Sequence, residues 1–327
     1  MPKISVIIPV YNGEKTIEAT INSVLQQTFD DFELIIINAS STDSTLEIIS
    51  QIQDERIKVF TYNRANVAVN RNRGFNQSKC EFVTFLDADD LWTADKLEAQ
   101  YKILQENPQA GVVYSLTDAI DENSKFLCRW SYATWTGDVY TKLLLANFIG
   151  SGSNVMVRSK ALKEVGDFDE SLTNAQDLDM WLRLAKKYEF ISIKKVQIFY
   201  RISANSMSSN ILGMEKSYLQ IIEKACYDER AASYQYLKQY SIANLYKYLG
   251  YKALEASPGQ QKPLQVAQLI WKSIRYDPPI LLKPVIYKAL LKLAVITLLP
   301  TNMARLLFTN FPKIFNTITL LGYAKIY

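Results

Sequence analysis

Three carboxylates fall within four positions in Leu86-Asp87-Ala88-Asp89-Asp90, directly after the apolar run Phe82-Val83-Thr84-Phe85. Like charges packed this closely repel unless a cation sits among them or they splay into water. One chemistry is therefore a divalent-cation site at the carboxyl end of a buried strand, where open α/β sheets bind ligands. The other is a solvated turn whose Asp89 and Asp90 stabilise the start of the next helix. The chain has no histidine, which removes histidine-ligated metals, serine–histidine triads and cysteine–histidine pairs. A general base must then be Asp, Glu, Lys, Tyr or Cys. A metal must rest mainly on oxygen ligands, which points to Mg2+ or Mn2+.

The elements before this stretch must position it. Ile4–Val10 reads as a central strand, Tyr11-Asn12-Gly13 as a turn, and the spacing of Ile17, Ile21, Val24 and Leu25 as a helix over Glu14–Gln27. Glu33–Ile37 is a second strand that opens into Asn38-Ala39-Ser40-Ser41-Thr42-Asp43, and Ser44 with Glu47 predicts a capping box. Ile57–Thr61 and Phe82–Leu86 read as further strands around a helix over Val67–Gln77. This alternation predicts right-handed crossovers and a mostly parallel sheet, with Tyr11, Asn38 and Asp87 on one cleft. No Gly-x-Gly-x-x-Gly follows the first strand and no Walker lysine motif is present, which argues against a dinucleotide fold. Acids at such a cleft suit a nucleoside diphosphate held through a metal.

The segments Ser5–Asn12, Phe32–Ile37 with Ser41-Thr42-Asp43, Arg71-Asn72 and Leu86–Asp90 follow one another in order. Val165–Asp169, Gln176–Arg183 and Tyr200-Arg201 continue the series. Together they resemble the successive motifs of glycosyltransferase family 2 over roughly residues 3–210. The resemblance implies a GT-A fold: a Rossmann-like, mostly parallel sheet with helices on both faces, over residues 1–212. It implies that Asp89 is the metal ligand proper, with Asp87 nearer the ribose and diphosphate, and that Mn2+ or Mg2+ is the cofactor. Pro9, Tyr11, Asn38, Arg71 and Arg201 would contact the nucleotide-sugar donor, Tyr11 at the base edge and Arg201 at the diphosphate. Asp177 would take the proton of the acceptor hydroxyl in an inverting transfer, with Trp181 and Arg183 framing the acceptor. For Asp179 and Arg183, four apart, a surface ion pair is the simplest explanation. Asp90 reads as a helix-start residue. The chain departs from the family at Asn38-Ala39-Ser40, where Asp-Asp-Gly is usual, at Gln176 and at Ser203, where histidine is frequent. The implied reaction moves a sugar to a saccharide or lipid-linked acceptor in glycan synthesis. Two rivals are a sugar-phosphate nucleotidyltransferase, whose glycine-rich basic loop Tyr11-Asn12-Gly13-Glu14 does not supply, and a non-catalytic binding module with a decayed site.

At 327 residues the chain suits two domains, and 48% hydrophobic with 21% charged residues marks it as globular. Cys80, Cys128 and Cys226 give no disulfide framework, so a reducing, cytoplasmic setting is expected. Ile4–Val10 is too short for a signal peptide, and no window of about 20 residues lacks charge, so no spanning helix is expected. Beyond Asn210 the strand pattern gives way to an expected all-helical region, residues 213–327, with breaks at Ser257-Pro258-Gly259 and Asp277-Pro278-Pro279. Residues 270–327 hold eight basic residues against Asp277, a net +7 in a chain of +4, leaving −3 for residues 1–269. Ile280–Leu299 reads as a basic amphipathic helix, with Lys288 and Lys292 on a side away from its leucines. An anionic membrane surface is the expected partner of 270–327, on the inner face of the membrane. Nucleic acid is not, because the cations are interleaved with leucine and isoleucine.

Overall fold

The computed structural model of the chain describes residues 2–203, 210–227, 235–256 and 261–322. The strands are β1 (Ile4–Val10), β2 (Phe32–Asn38), β3 (Ile57–Thr61), β4 (Phe82–Phe85), β5 (Leu91–Trp92), β6 (Ala110–Ile120), β7 (Phe126–Ser131), β8 (Met156–Arg158) and β9 (Glu189–Arg201). The helices among them are α1 (Ile17–Leu25), α2 (Thr45–Gln51), α3 (Val67–Gln77), α4 (Lys96–Glu106), α5 (Tyr140–Leu145), α6 (Ser159–Val165) and α7 (Gln176–Ala185). Then follow α8 (Ile211–Cys226), α9 (Gln235–Glu255), α10 (Pro263–Tyr276), a 3-10 segment Pro278–Leu282, α11 (Pro284–Leu298), α12 (Thr301–Asn310), α13 (Pro312–Phe315) and α14 (Thr319–Gly322). Two compact units form, Met1–Tyr140 with Asn147–Ser203, and Thr141–Ala146 with Ala204–Tyr327. The division falls after Ser203, and most of α5 belongs to the second unit, where Asn244 of α9 donates to the Leu145 carbonyl at 3.0 Å.

In the first unit the strands form one sheet in the order β3-β2-β1-β4-β8-β6-β9-β5, with β7 on β6. β1 is buried at every position because both faces are covered. Ile4, Val6 and Ile8 share a cluster with Ile17 and Ile21 of α1 and Leu97 and Leu104 of α4. On the other face α3 sits so close that a Cβ on Gly74 would lie 2.3 Å from Ile7 Cγ2. Only glycine permits that approach. Arg71, three residues earlier on the same helix face, is thereby held against the strand ends.

Val10 pairs Asn38 and Ile7 pairs Phe85 in parallel register, so the loops after β1, β2 and β4 leave one edge. Beyond β4 the sheet is mixed. β8 runs antiparallel between β4 and β6, with Thr84 opposite Met156, which lays the segment before β8 beside the acidic loop after β4. β5 follows that loop directly and pairs Leu91 with Phe199, which brings Arg201 at the end of β9 onto it. The capping box expected at Ser44 is absent: Asp43 Oδ1 accepts from the Thr45 amide at 3.1 Å, and the Ser44 amide donates to Glu14 at 3.1 Å.

The second unit is helical throughout its described residues, around Leu249, Leu254, Leu269, Ile270, Val285, Ile286 and Ala289. The expected break at Ser257-Pro258-Gly259 and the residues after 322, Lys325 among them, lie outside the described residues. The lysine face expected for α11 is corrected. Lys292 is 5% exposed, turned inward to Glu255 Oε1 at 2.8 Å, and Lys288 donates to the Lys313 carbonyl at 2.9 Å.

Candidate active site

The acidic loop is built on a buried third carboxylate. Asp90 is fully buried and accepts from Ser151 Oγ at 3.1 Å, Ser153 Oγ at 2.5 Å and the Arg201 amide at 2.9 Å. Ser153 Oγ in turn accepts from the Asp87 amide at 3.0 Å. Burial, then the charges of Asp89 and Asp87, push the Asp90 carboxyl well above the ordinary range. Asp90 is therefore not a helix-start residue. The two-residue β5 follows it, α4 begins only at Lys96, and its serine partners tie the loop to the segment before β8.

Arg201, expected at the diphosphate, is turned to backbone carbonyls. It is 4% exposed, and its guanidinium donates to the carbonyls of Asp89 at 2.7 Å, Asp121 at 2.9 Å and Glu122 at 3.1 Å. These bonds hold the loop in shape. Asp89 itself is half-buried. Burial and the Asp87 charge raise its carboxyl to about 6, against a smaller downward pull from Arg201.

Arg71 links this loop to the other expected acid. Its Nη2 donates to Asp87 Oδ1 at 2.6 Å, while the side chain is 4% exposed and its Nε has no partner among the described residues. Gly152 makes room for it, since a Cβ there would lie 2.4 Å from Nη2. Asp177, the second residue of α7, is pushed up by burial, and the main opposing pull is the Arg71 charge. Asn147 Nδ2 reaches Asp177 Oδ2 at 3.4 Å. α7 starts from Ala175 at φ 56°, a left-handed conformation that costs an alanine energy and sets the angle at which Asp177 enters.

Asn72, next to Arg71, explains why the two acids stay in register. Its Oδ1 accepts from the Phe168 amide at 2.9 Å, and its Nδ2 donates to the Phe168 carbonyl at 3.0 Å and Glu170 at 2.9 Å. It thereby pins the segment that leads into α7. Trp181 and Arg183, expected at the acceptor, are both engaged within the fold. Trp181 is 0% exposed against Phe168, and its indole nitrogen has no partner among the described residues. Arg183 donates to Asp179 at 2.8 Å and to the carbonyls of Val165 and Asp167, each at 2.8 Å. Asp179 is buried, so that pair is not a surface bridge.

At the β1 and β2 ends, Pro9 is enclosed within the sheet. Asn38 is fully buried, accepting from the Ser41 amide at 3.0 Å and donating to Thr61 Oγ1 at 3.2 Å, so its amide shapes its own loop. Tyr11 is exposed, with the Arg64 guanidinium 4.1 Å from its ring centre. Gln176 is buried against the Leu172 carbonyl, and Ser203 is half-buried. Sequence reasoning passed over Arg64, Asn72, Asn147, Ser151, Gly152 and Ser153. Of these, only Asn72 stood in a motif already singled out.

Asp87 and Asp89 could hold a cation. Among the described residues no group of three or more acidic, cysteine or histidine ligands gathers. Two neighbouring carboxylates, with the Asp87 charge raising Asp89 and one Asp87 oxygen already on Arg71, suit a hard ion completed by phosphate oxygens and water rather than a closed protein cage.

A family-wide sequence model described as glycosyltransferase like family 2 matches residues 5–253. The chain belongs to glycosyltransferase family 2. The undecaprenol-linked glucosyltransferase WfgD of Escherichia coli, named for transfer from UDP-Glc to alpha-D-GlcNAc-diphosphoundecaprenol, is 33% identical over 213 residues, 63% of this chain and 80% of that one. An uncharacterised glycosyltransferase of Rickettsia bellii is 34% identical over 188 residues, 57% of this chain but only 26% of its own length. S. aureus TarS 1-349, solved with UDP-GlcNAc, superposes with a TM-score of 0.63 at 20% identity, covering 94% of this glycosyltransferase and 92% of TarS. That likeness establishes the GT-A fold. Family membership sets aside the nucleotidyltransferase reading.

Proposed function

We propose that this glycosyltransferase moves a sugar from a nucleoside-diphospho-sugar to a saccharide or lipid-linked acceptor, with inversion at the anomeric carbon. Asp177 takes the proton of the acceptor hydroxyl, and Asp87 with Asp89 would hold Mn2+ or Mg2+ against the donor diphosphate. The bound ion would neutralise charge on the leaving diphosphate. The observation that carries this reading is Arg71, buried against Asp87 at 2.6 Å and drawing on Asp177 electrostatically. One buried cation pairs Asp87 directly and opposes the burial that raises the Asp177 carboxyl. Asp177 then faces the acceptor as a base, and Asp87 remains on the donor side.

The family supports nucleotide-sugar chemistry, and the name of WfgD supports a lipid-linked acceptor class. A lipid-linked acceptor calls for work at a membrane surface, for which the +7 of residues 270–327 is suited. The place is the cytoplasmic face, and free Cys80, Cys128 and Cys226 agree with a reducing compartment. Among the described residues no helix is long and apolar enough to cross a membrane. Inversion is tested by NMR of the product made from a panel of donor sugars. The new linkage should have the anomeric configuration opposite to the donor's, and a retained configuration would contradict Asp177 as a single-displacement base.

A further inference from the structure

We propose that the chain seats itself on an anionic lipid surface chiefly by inserting an apolar stripe of α11, continued on α12, rather than through α11's lysines. This rests on the membrane-surface reading and specifies how that surface is held. Tyr287, Leu290, Leu291, Ala294 and Leu298 follow helical spacing along one side of α11. Four of them are exposed, Tyr287 at 61% and Leu298 at 78%. The opposite side of the helix, Val285, Ile286, Ala289 and Lys292, is buried. The helix is thus apolar outward as well as inward, with Lys292 on the inner side, whereas a soluble amphipathic helix keeps its outer side polar.

Met303 and Leu306 of α12 are also exposed. From Pro278 to Gly322 there is no acidic residue, whereas Lys283, Arg305 and Lys313 are exposed. An apolar surface set among cations with no acid is complementary to anionic headgroups over acyl chains. A second copy of this chain would present the same positive charge and be repelled. The 15 residues of α11 span about 22 Å, short of a hydrocarbon core of about 30 Å, so the helix lies in the interface.

The test is flotation of the full chain with phosphatidylcholine vesicles, with and without phosphatidylglycerol, at low salt and in about 0.5 M salt, which screens charge to within a few ångströms. The wild type should float with anionic vesicles and keep most of that binding in high salt. The triple variant Tyr287→Ser, Leu291→Ser, Leu298→Ser alters exposed positions only. It should keep the wild-type unfolding temperature and lose the salt-resistant fraction by about tenfold. If the wild type floats at low salt alone and the triple variant matches it, charge holds the surface and the stripe does not. If nothing floats at any salt, the membrane reading falls with it. A wild-type dimer that the triple variant fails to form would make the stripe a protein interface and overturn the proposal.

Discussion

Asp89 and Asp90 carry a consequence that can be read without any substrate. Their carboxyls lie above the ordinary value, Asp89 at about 6. Between 3.8 and about 6 the folded chain therefore holds protons that the unfolded chain has released. Stability then rises as pH falls through that window and levels off below it. In chelator, the unfolding temperature should be higher at about pH 5 than at about pH 7. Added Mn2+ should narrow the gap, because it favours the ionised pair. An unfolding temperature that falls steadily on acidification, alike with and without Mn2+, would contradict this picture of the loop. At this scale the sequence revealed the acids but not their division of labour. Asp90 meets Arg201, 111 positions away, and Arg201 meets carbonyls that no pattern of residue types could announce. Nothing local distinguishes Trp181 in the core from Trp181 on a surface.

Elements decide which of those residues face one another. The first four strands were legible because each is an apolar run closed by turn residues, and β1 and β3 have the expected bounds. The mixed half was not legible. Its register joins β4, β8, β6 and β9 across long sequence separations, and the short β5 and β8 offer no periodicity to detect. Yet that half supplies Ser151, Gly152 and Ser153. Gly152→Ala tests the supply directly. Its Cβ would fall 2.4 Å from Arg71 Nη2 and 3.1 Å from Cζ, forcing the guanidinium from Asp87. Turnover should drop about tenfold or more while the unfolding temperature changes little, since a misplaced group of about 1 Å can cost a hundredfold. Wild-type turnover in this variant would show that the Arg71–Asp87 contact is not needed.

For the molecule as a whole, the helical unit is more than an appendage. Lys247 of α9 and Asp277 after α10 form an ion pair at 2.6 Å, with both side chains buried. An end near Tyr276 would remove Asp277 and the part of the core made by α11. Asp277→Asn should destabilise this unit by about 3–5 kcal/mol, the usual cost of breaking a buried pair from one side. Urea unfolding checks this, and a change under about 1 kcal/mol would mean the pair is neutralised by other means. Charge counting made the tail's cations legible. It could not show that Lys292 turns inward, because that depends on Glu255 arriving from α9.

The proposed reaction is a cation-assisted transfer with Asp177 as base. Its most direct measurement is nucleoside diphosphate release by the full chain with its donor and acceptor, in Mn2+ and in chelator, for the wild type and Asp177→Asn. Turnover should vanish in chelator and return with Mn2+. Asp177→Asn should lower it by about a hundredfold to ten-thousandfold, with donor affinity by calorimetry nearly unchanged. Turnover that survives the chelator, or an Asp177→Asn enzyme within about twofold of wild type, would contradict it.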